Sequence, residues 1–175
     1  GQTGDLETLR PIFDSLAGFS KIAALRVANI VVGFGPAATP ILLQLLATSE
    51  PEVQGLTLRM LAEVGDPGAA RPVSVFLRSP DKELRIAACE ALARIGDAGA
   101  SPPLRGALAD LEWPVVAKAA QALGRLGDAG AIPQLTAQLS HREWWVRLHA
   151  GEALSRLGDA GRRELERVRD ASPDR

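Results

Sequence analysis

Few residues in this chain could do covalent or proton chemistry. There are two histidines, His141 and His149, and one cysteine, Cys89. A nucleophilic site would need a serine or cysteine beside one of those histidines, with a third group orienting it. No motif around either histidine supplies one. His141, Glu143 and His149 are the best metal-ligating set, and two histidines fall short of a closed zinc site. There is no phosphate-cradling glycine loop of the P-loop or dinucleotide type. Cys89 lies in the alanine-rich run IAACEALA, where a small buried apolar residue is expected. A lone cysteine cannot form an intramolecular disulfide. The expectation is no catalysis, no metal and no cofactor.

The tryptophans and arginines are more informative, because their chemistry is contact rather than reaction. Trp113, Trp144 and Trp145 are three of only seven aromatic residues. Trp113 and Trp144 are 31 residues apart. Arg94, Arg125 and Arg156 follow the same interval. Glu90, Gln121 and Glu152 sit four residues before each arginine. Lys118 and His149 fall on the same side. These residues read as a contact surface for a protein partner. The tryptophans would be its anchors, since truncating one such residue can cost ~2 kcal/mol or more. Alternatively, each tryptophan wedges between neighbouring units. The Glu–Arg spacing reads as ordinary i,i+4 pairing on a solvated face. The sharper alternative is a polar ladder that meets an acidic partner.

Both rows imply a repeat that places them. Gly-Asp recurs at Gly65-Asp66, Gly96-Asp97, Gly127-Asp128 and Gly158-Asp159, always 31 residues apart. The segments before it, VQGLTLRMLAEVGD, LRIAACEALARIGD, VVAKAAQALGRLGD and VRLHAGEALSRLGD, align without gaps. Leu61, Leu92, Leu123 and Leu154 share one column. Val53, Leu84, Val115 and Val146 share a second, and Val64, Ile95, Leu126 and Leu157 a third. Their spacing is one face of a helix. Ala88, Ala119 and Ala150 lie on that face and permit close helix approach.

Each glycine is expected to stop its helix in the left-handed conformation, with the aspartate capping the next one. That next helix is short and apolar, with proline near its start at Pro72, Pro102, Pro103 and Pro133. Glu50, Asp81, Glu112 and Glu143 open the second helix of each pair, at the positive end of its dipole. Each unit is therefore helix, turn, helix, turn. One hairpin cannot bury its apolar face alone, so the units must stack. The units are 36–66, 67–97, 98–128 and 129–159. A degenerate unit is expected at 5–35, where Leu25-Arg26-Val27-Ala28 echoes Leu84-Arg85-Ile86-Ala87, and a charged capping helix at 160–170. Together, 5–170 is one domain, with 1–4 and 171–175 as disordered tails.

This pattern resembles the short bacterial HEAT-like repeats, of the type also found in phycobilisome lyase subunits. The resemblance rests on L/V-R-x-x-A-x-x-A-L-x-x-I/L-G-D, seen here around Leu84-Arg85 and Val146-Arg147. Gln54 and Val116 replace the arginine in the other two units. It implies an all-α fold, a right-handed α-solenoid of about five stacked helical hairpins. It also offers a lyase or lyase-chaperone role on a chromophore-bearing protein as an alternative function. HEAT-like deoxyhypusine hydroxylases carry His-Glu pairs, and no such pair occurs in this sequence. HEAT-like DNA glycosylases offer a nucleic-acid-binding alternative.

Composition bears on these choices. With 20 basic and 21 acidic residues the net charge is -1, so the basic excess that phosphate binding requires is missing. Hydrophobic residues at 46% are enough for a core. No apolar run is long enough to span a membrane. The opening Gly-Gln-Thr-Gly reads as an excised piece of a longer protein, which could carry an anchor elsewhere. The first unit is rich in apolar residues (Ile22, Val27, Ile30, Val31, Val32, Phe34) and is expected to abut another domain, an anchor or a second copy. The reading is a cytoplasmic, non-catalytic interaction scaffold that binds a protein, not nucleic acid. Its docking surface is the second-helix face with the tryptophan lip.

Overall fold

The computed structural model describes residues 30–171. The expected unit at 5–35 and the tails at 1–4 and 171–175 lie almost wholly outside that range. Within it lie nine whole α-helices, several of them preceded by a short 3-10 turn, with no strand among the described residues. The helices are α1 (Thr39–Thr48), α2 (Pro51–Val64), α3 (Ala70–Ser74), α4 (Lys82–Ile95), α5 (Ser101–Ala107), α6 (Trp113–Leu126), α7 (Ile132–Gln138), α8 (Trp144–Arg156) and α9 (Gly158–Ala171). None of them is long and apolar enough to cross a membrane.

Helices α2, α4, α6 and α8 are the second helices of successive hairpins. They stack directly on one another, and the shorter first helices cover their other side. The predicted columns explain the stacking. Leu61, Leu92, Leu123 and Leu154 are all completely buried, as are Ala88, Ala119 and Ala150. In the unit before them Thr57 takes the alanine position. Its buried hydroxyl donates to the Val53 carbonyl at 2.8 Å, which removes the cost of an unpaired polar group. The third column is less deep: Ile95 is buried, while Val64, Leu126 and Leu157 are half-buried at the helix ends.

Each second helix stops where the sequence says. Gly65, Gly96, Gly127 and Gly158 have φ of 67°, 77°, 69° and 72°, the left-handed region open to glycine. The aspartate then does something slightly different from capping an α-helix. Asp66, Asp97 and Asp128 accept the backbone N–H of Gly68, Gly99 and Gly130 at 2.8, 2.6 and 3.0 Å, and so cap a 3-10 turn. Only after that turn does the first α-helix begin. The second glycine of the motif, three residues after the first, is what the aspartate holds.

The fourth Gly-Asp departs from the others. After Gly158 the chain enters α9 at once, and Asp159 pairs with Arg162. Gly161 occupies the equivalent of Gly130, but a side chain there would collide with the Leu154 carbonyl. The missing side chain lets α9 close against the end of α8.

Turns between the two helices of a hairpin are held by side chains. Arg85 donates to the carbonyls of Ser79 and Pro80, and Arg147 to those of His141 and Arg142. Gln54, in the same column, donates to the Leu46 carbonyl, and Val116 is buried instead. Arg85 also forms a two-pronged pair with Asp110 of the next unit, at 2.8 and 3.0 Å. Among the four residues opening the second helices, only Asp81 caps with its side chain, accepting from the Glu83 N–H at 2.8 Å. In two other units the residue two before the opening glutamate supports the turn. Asp110 accepts from the Glu112 N–H and His141 Nδ1 from the Glu143 N–H.

Candidate docking surface

The exposed face of each second helix carries four positions at helical spacing. On α8 they are Trp145, His149, Glu152 and Arg156. On α6 they are Pro114, Lys118, Gln121 and Arg125. On α4 they are Glu83, Ala87, Glu90 and Arg94, and on α2 Glu52, Leu56, Arg59 and Glu63. Stacking aligns these into rows that cross the units. The candidate residues Arg94, Arg125, Arg156, Lys118, His149 and Trp145 all lie on this one face.

Trp144 and Trp145 occupy the first turn of α8 and are 54% and 52% exposed. Their rings meet edge to face at 4.8 Å between centroids, and Trp145 stacks over His149 at 6.2 Å. Trp113 opens α6 on the same lip and is 36% exposed. Stacking of units would put Trp113 beside Trp144, yet these two rings make no ring contact. Trp144 instead pairs with its chain neighbour. Leu111, in the turn before α6, is 96% exposed and completes the apolar lip. Sequence reasoning passed over it. The available signal was its column, where Pro80 and Arg142 stand in the adjacent units.

The charged residues pair differently from the i,i+4 expectation. Arg94 does not bind Glu90; it binds Glu63 in the preceding unit. Glu90 binds Lys118 of the following unit at 2.6 Å. The physical reason is the stack: a residue in the same or the neighbouring row one unit away is as close as one a turn away on the same helix. His149 Nδ1 lies 3.0 Å from Glu152. Arg125 and Arg156 are exposed and have no ion pair or hydrogen bond among the described residues.

Other candidate groups are absorbed by structure. His141 Nδ1 is engaged in its turn, as described above. Cys89 is fully buried, and that burial pushes its thiol up to about 12, so it stays protonated and unreactive.

These features, read together, define a stack of two-helix repeats. A model of HEAT repeats matches residues 39–121 and 109–175. The chain therefore belongs to the HEAT-repeat family. No functionally curated protein matches it by sequence. Among solved structures, a chain of the CpcE–CpcF complex of phycocyanin lyase from Nostoc sp. PCC7120 superposes with a TM-score of 0.77 at 20% identity, over 85% of this chain and 99% of that one. A designed armadillo repeat protein in complex with the peptide (KR)4 superposes at 0.59 and 19% identity, over 96% of this chain and 88% of that one. These likenesses are of fold.

Proposed function

We propose that the chain is a non-catalytic scaffold that binds a partner protein on the second-helix face of residues 67–159 and on its tryptophan lip. The exposed Trp144–Trp145 pair carries this reading. Large aromatic groups left in water at one edge are costly for a free surface and typical of the anchor residues of an interface. They open a helix whose alignment with the neighbouring unit is fixed by a buried core, so the lip is preorganised before a partner arrives. Solenoids supply an extended surface in which the variable positions select the partner.

The likeness of fold to the phycocyanin lyase chain supports a second reading, a lyase or lyase-chaperone subunit for a chromophore-bearing protein. The two readings separate in one experiment. Tagged wild-type chain and Trp144→Ala/Trp145→Ala are used in parallel to capture proteins from host lysate, after circular dichroism shows both folded. Each captured protein is then purified and titrated against both forms. Loss of at least about tenfold in affinity in the folded variant supports the scaffold reading. Equal binding by both forms removes the lip from the site. Copurifying tetrapyrrole absorbance without a protein partner favours the lyase-like reading.

A further inference from the structure

One row of the second-helix face reads Glu63, Arg94, Arg125, Arg156 at 31-residue intervals, and all four are exposed. The Arg94–Glu63 pair shows that side chains in this row reach from one unit to the next. Beyond it the row is all arginine, so the reach that neutralises Arg94 brings Arg125 and Arg156 only toward like charge. Nearby carboxylates are already engaged. Glu90 pairs with Lys118, and Glu152 lies 3.0 Å from His149 Nδ1 and makes no ion pair with Arg156. Asp128 accepts from Gly130 and faces Arg105, and Asp159 pairs with Arg162. Two adjacent guanidiniums are left without a direct carboxylate partner among the described residues.

We propose that Arg125 and Arg156 together dock an acidic extended segment of the partner protein, with one carboxylate on each. A guanidinium presents a planar fork of donors that matches a carboxylate. Stacked helices lie ~10 Å apart. An extended peptide of the polyproline-II type advances ~3.1 Å per residue with about three residues per turn, so side chains three apart share one face and span about that distance. The segment carries Asp or Glu at positions i and i+3 and crosses α6 and α8 nearly at right angles. A long polyanion fits less well, because following the row past α6 would carry it onto Arg94, already neutralised by Glu63, and then onto Glu63 itself. This inference rests on the second-helix face being a docking surface. It uses the far end of α8 from the lip, ~16 Å from Trp145 at 1.5 Å per residue.

The test is fluorescence anisotropy with the full chain and short end-capped labelled peptides bearing two glutamates three apart, at low ionic strength. Arg125→Ala and Arg156→Ala should each weaken binding by about two- to fivefold, the scale of one exposed ion pair at low ionic strength. Arg94→Ala should leave it unchanged, because Glu63 already occupies that arginine. Glu63→Gln frees Arg94 and should tighten a peptide with a third glutamate in register. Absence of binding, or equal sensitivity to Arg94→Ala, overturns the proposal. Tighter binding of an oligonucleotide of equal charge, with the same arginine dependence, overturns it in favour of a phosphate ligand. Peptide affinity should persist in Trp144→Ala/Trp145→Ala, so failure here and failure of the lip are read separately.

Discussion

The second-helix face uses the same four positions in every unit, but its two halves hold different chemistry. On α2 and α4 the face carries Glu52, Glu63, Glu83 and Glu90 with Arg59 and Arg94. Glu63 and Glu90 there each hold a cation of the next unit. On α6 and α8 the face carries Trp145, Lys118, His149, Arg125 and Arg156 with Glu152 as its one carboxylate, and neither arginine makes an ion pair among the described residues. The backbone and the buried columns are alike in both halves. The repeat therefore sets where side chains stand, and the identity of residues one unit apart sets which remain available to a partner.

The halves also differ in how closely their helices meet. A side chain at Gly124 on α6 would lie 2.7 Å from Cα of Ala153 on α8. The equivalent positions Ala62 and Ala93 already carry a methyl group. The C-terminal pair thus packs backbone against backbone.

Four predictions probe this contrast. The largest effect is expected at Arg85, which joins the two halves through Asp110, with both side chains largely buried at 14% and 12% exposure. Arg85→Ala strands that carboxylate and uncaps a turn, at a cost of ~3 kcal/mol in urea unfolding followed by circular dichroism. A change under ~0.5 kcal/mol would mean that water replaces the arginine.

Next, Gly124→Ala should cost ~1–3 kcal/mol by overpacking, while Ala93→Gly on α4 should cost only ~0.5–1 kcal/mol through helix propensity. Equal costs would show that α6 and α8 are no more tightly packed than their neighbours. Third, native Cys89 should resist maleimide at pH 8 and react once urea unfolds the chain. Rapid native labelling would place that part of the stack in frequent local opening. Smallest is the exposed Arg94–Glu63 pair. Arg94→Ala should alter stability by ~0–1 kcal/mol and less at high salt.

Much of this was legible in the residues alone. The 31-residue Gly-Asp interval fixed the helix ends, because only glycine enters the left-handed cap cheaply. Leucine and alanine columns fixed the buried face, because helical periodicity survives in a linear string. The surface was legible in position but not in pairing. Arg94, Lys118 and His149 are spent on Glu63, Glu90 and Glu152, whereas Arg125 and Arg156 are not. Leu111 also escaped notice, since nothing in a turn sequence distinguishes a leucine that packs from one that does not.

The amino-acid sequence by itself determined the repeat, its caps, its core and the face on which variable residues stand. These are local properties, set by backbone conformation and by burial of one helix stripe. Only the tertiary structure decided which charges cancel, that Trp144 meets Trp145 rather than Trp113, and that Gly161 lets α9 close the stack. Those outcomes depend on distances between units, and a spacing of 31 in sequence becomes a contact only when helices stack at van der Waals range.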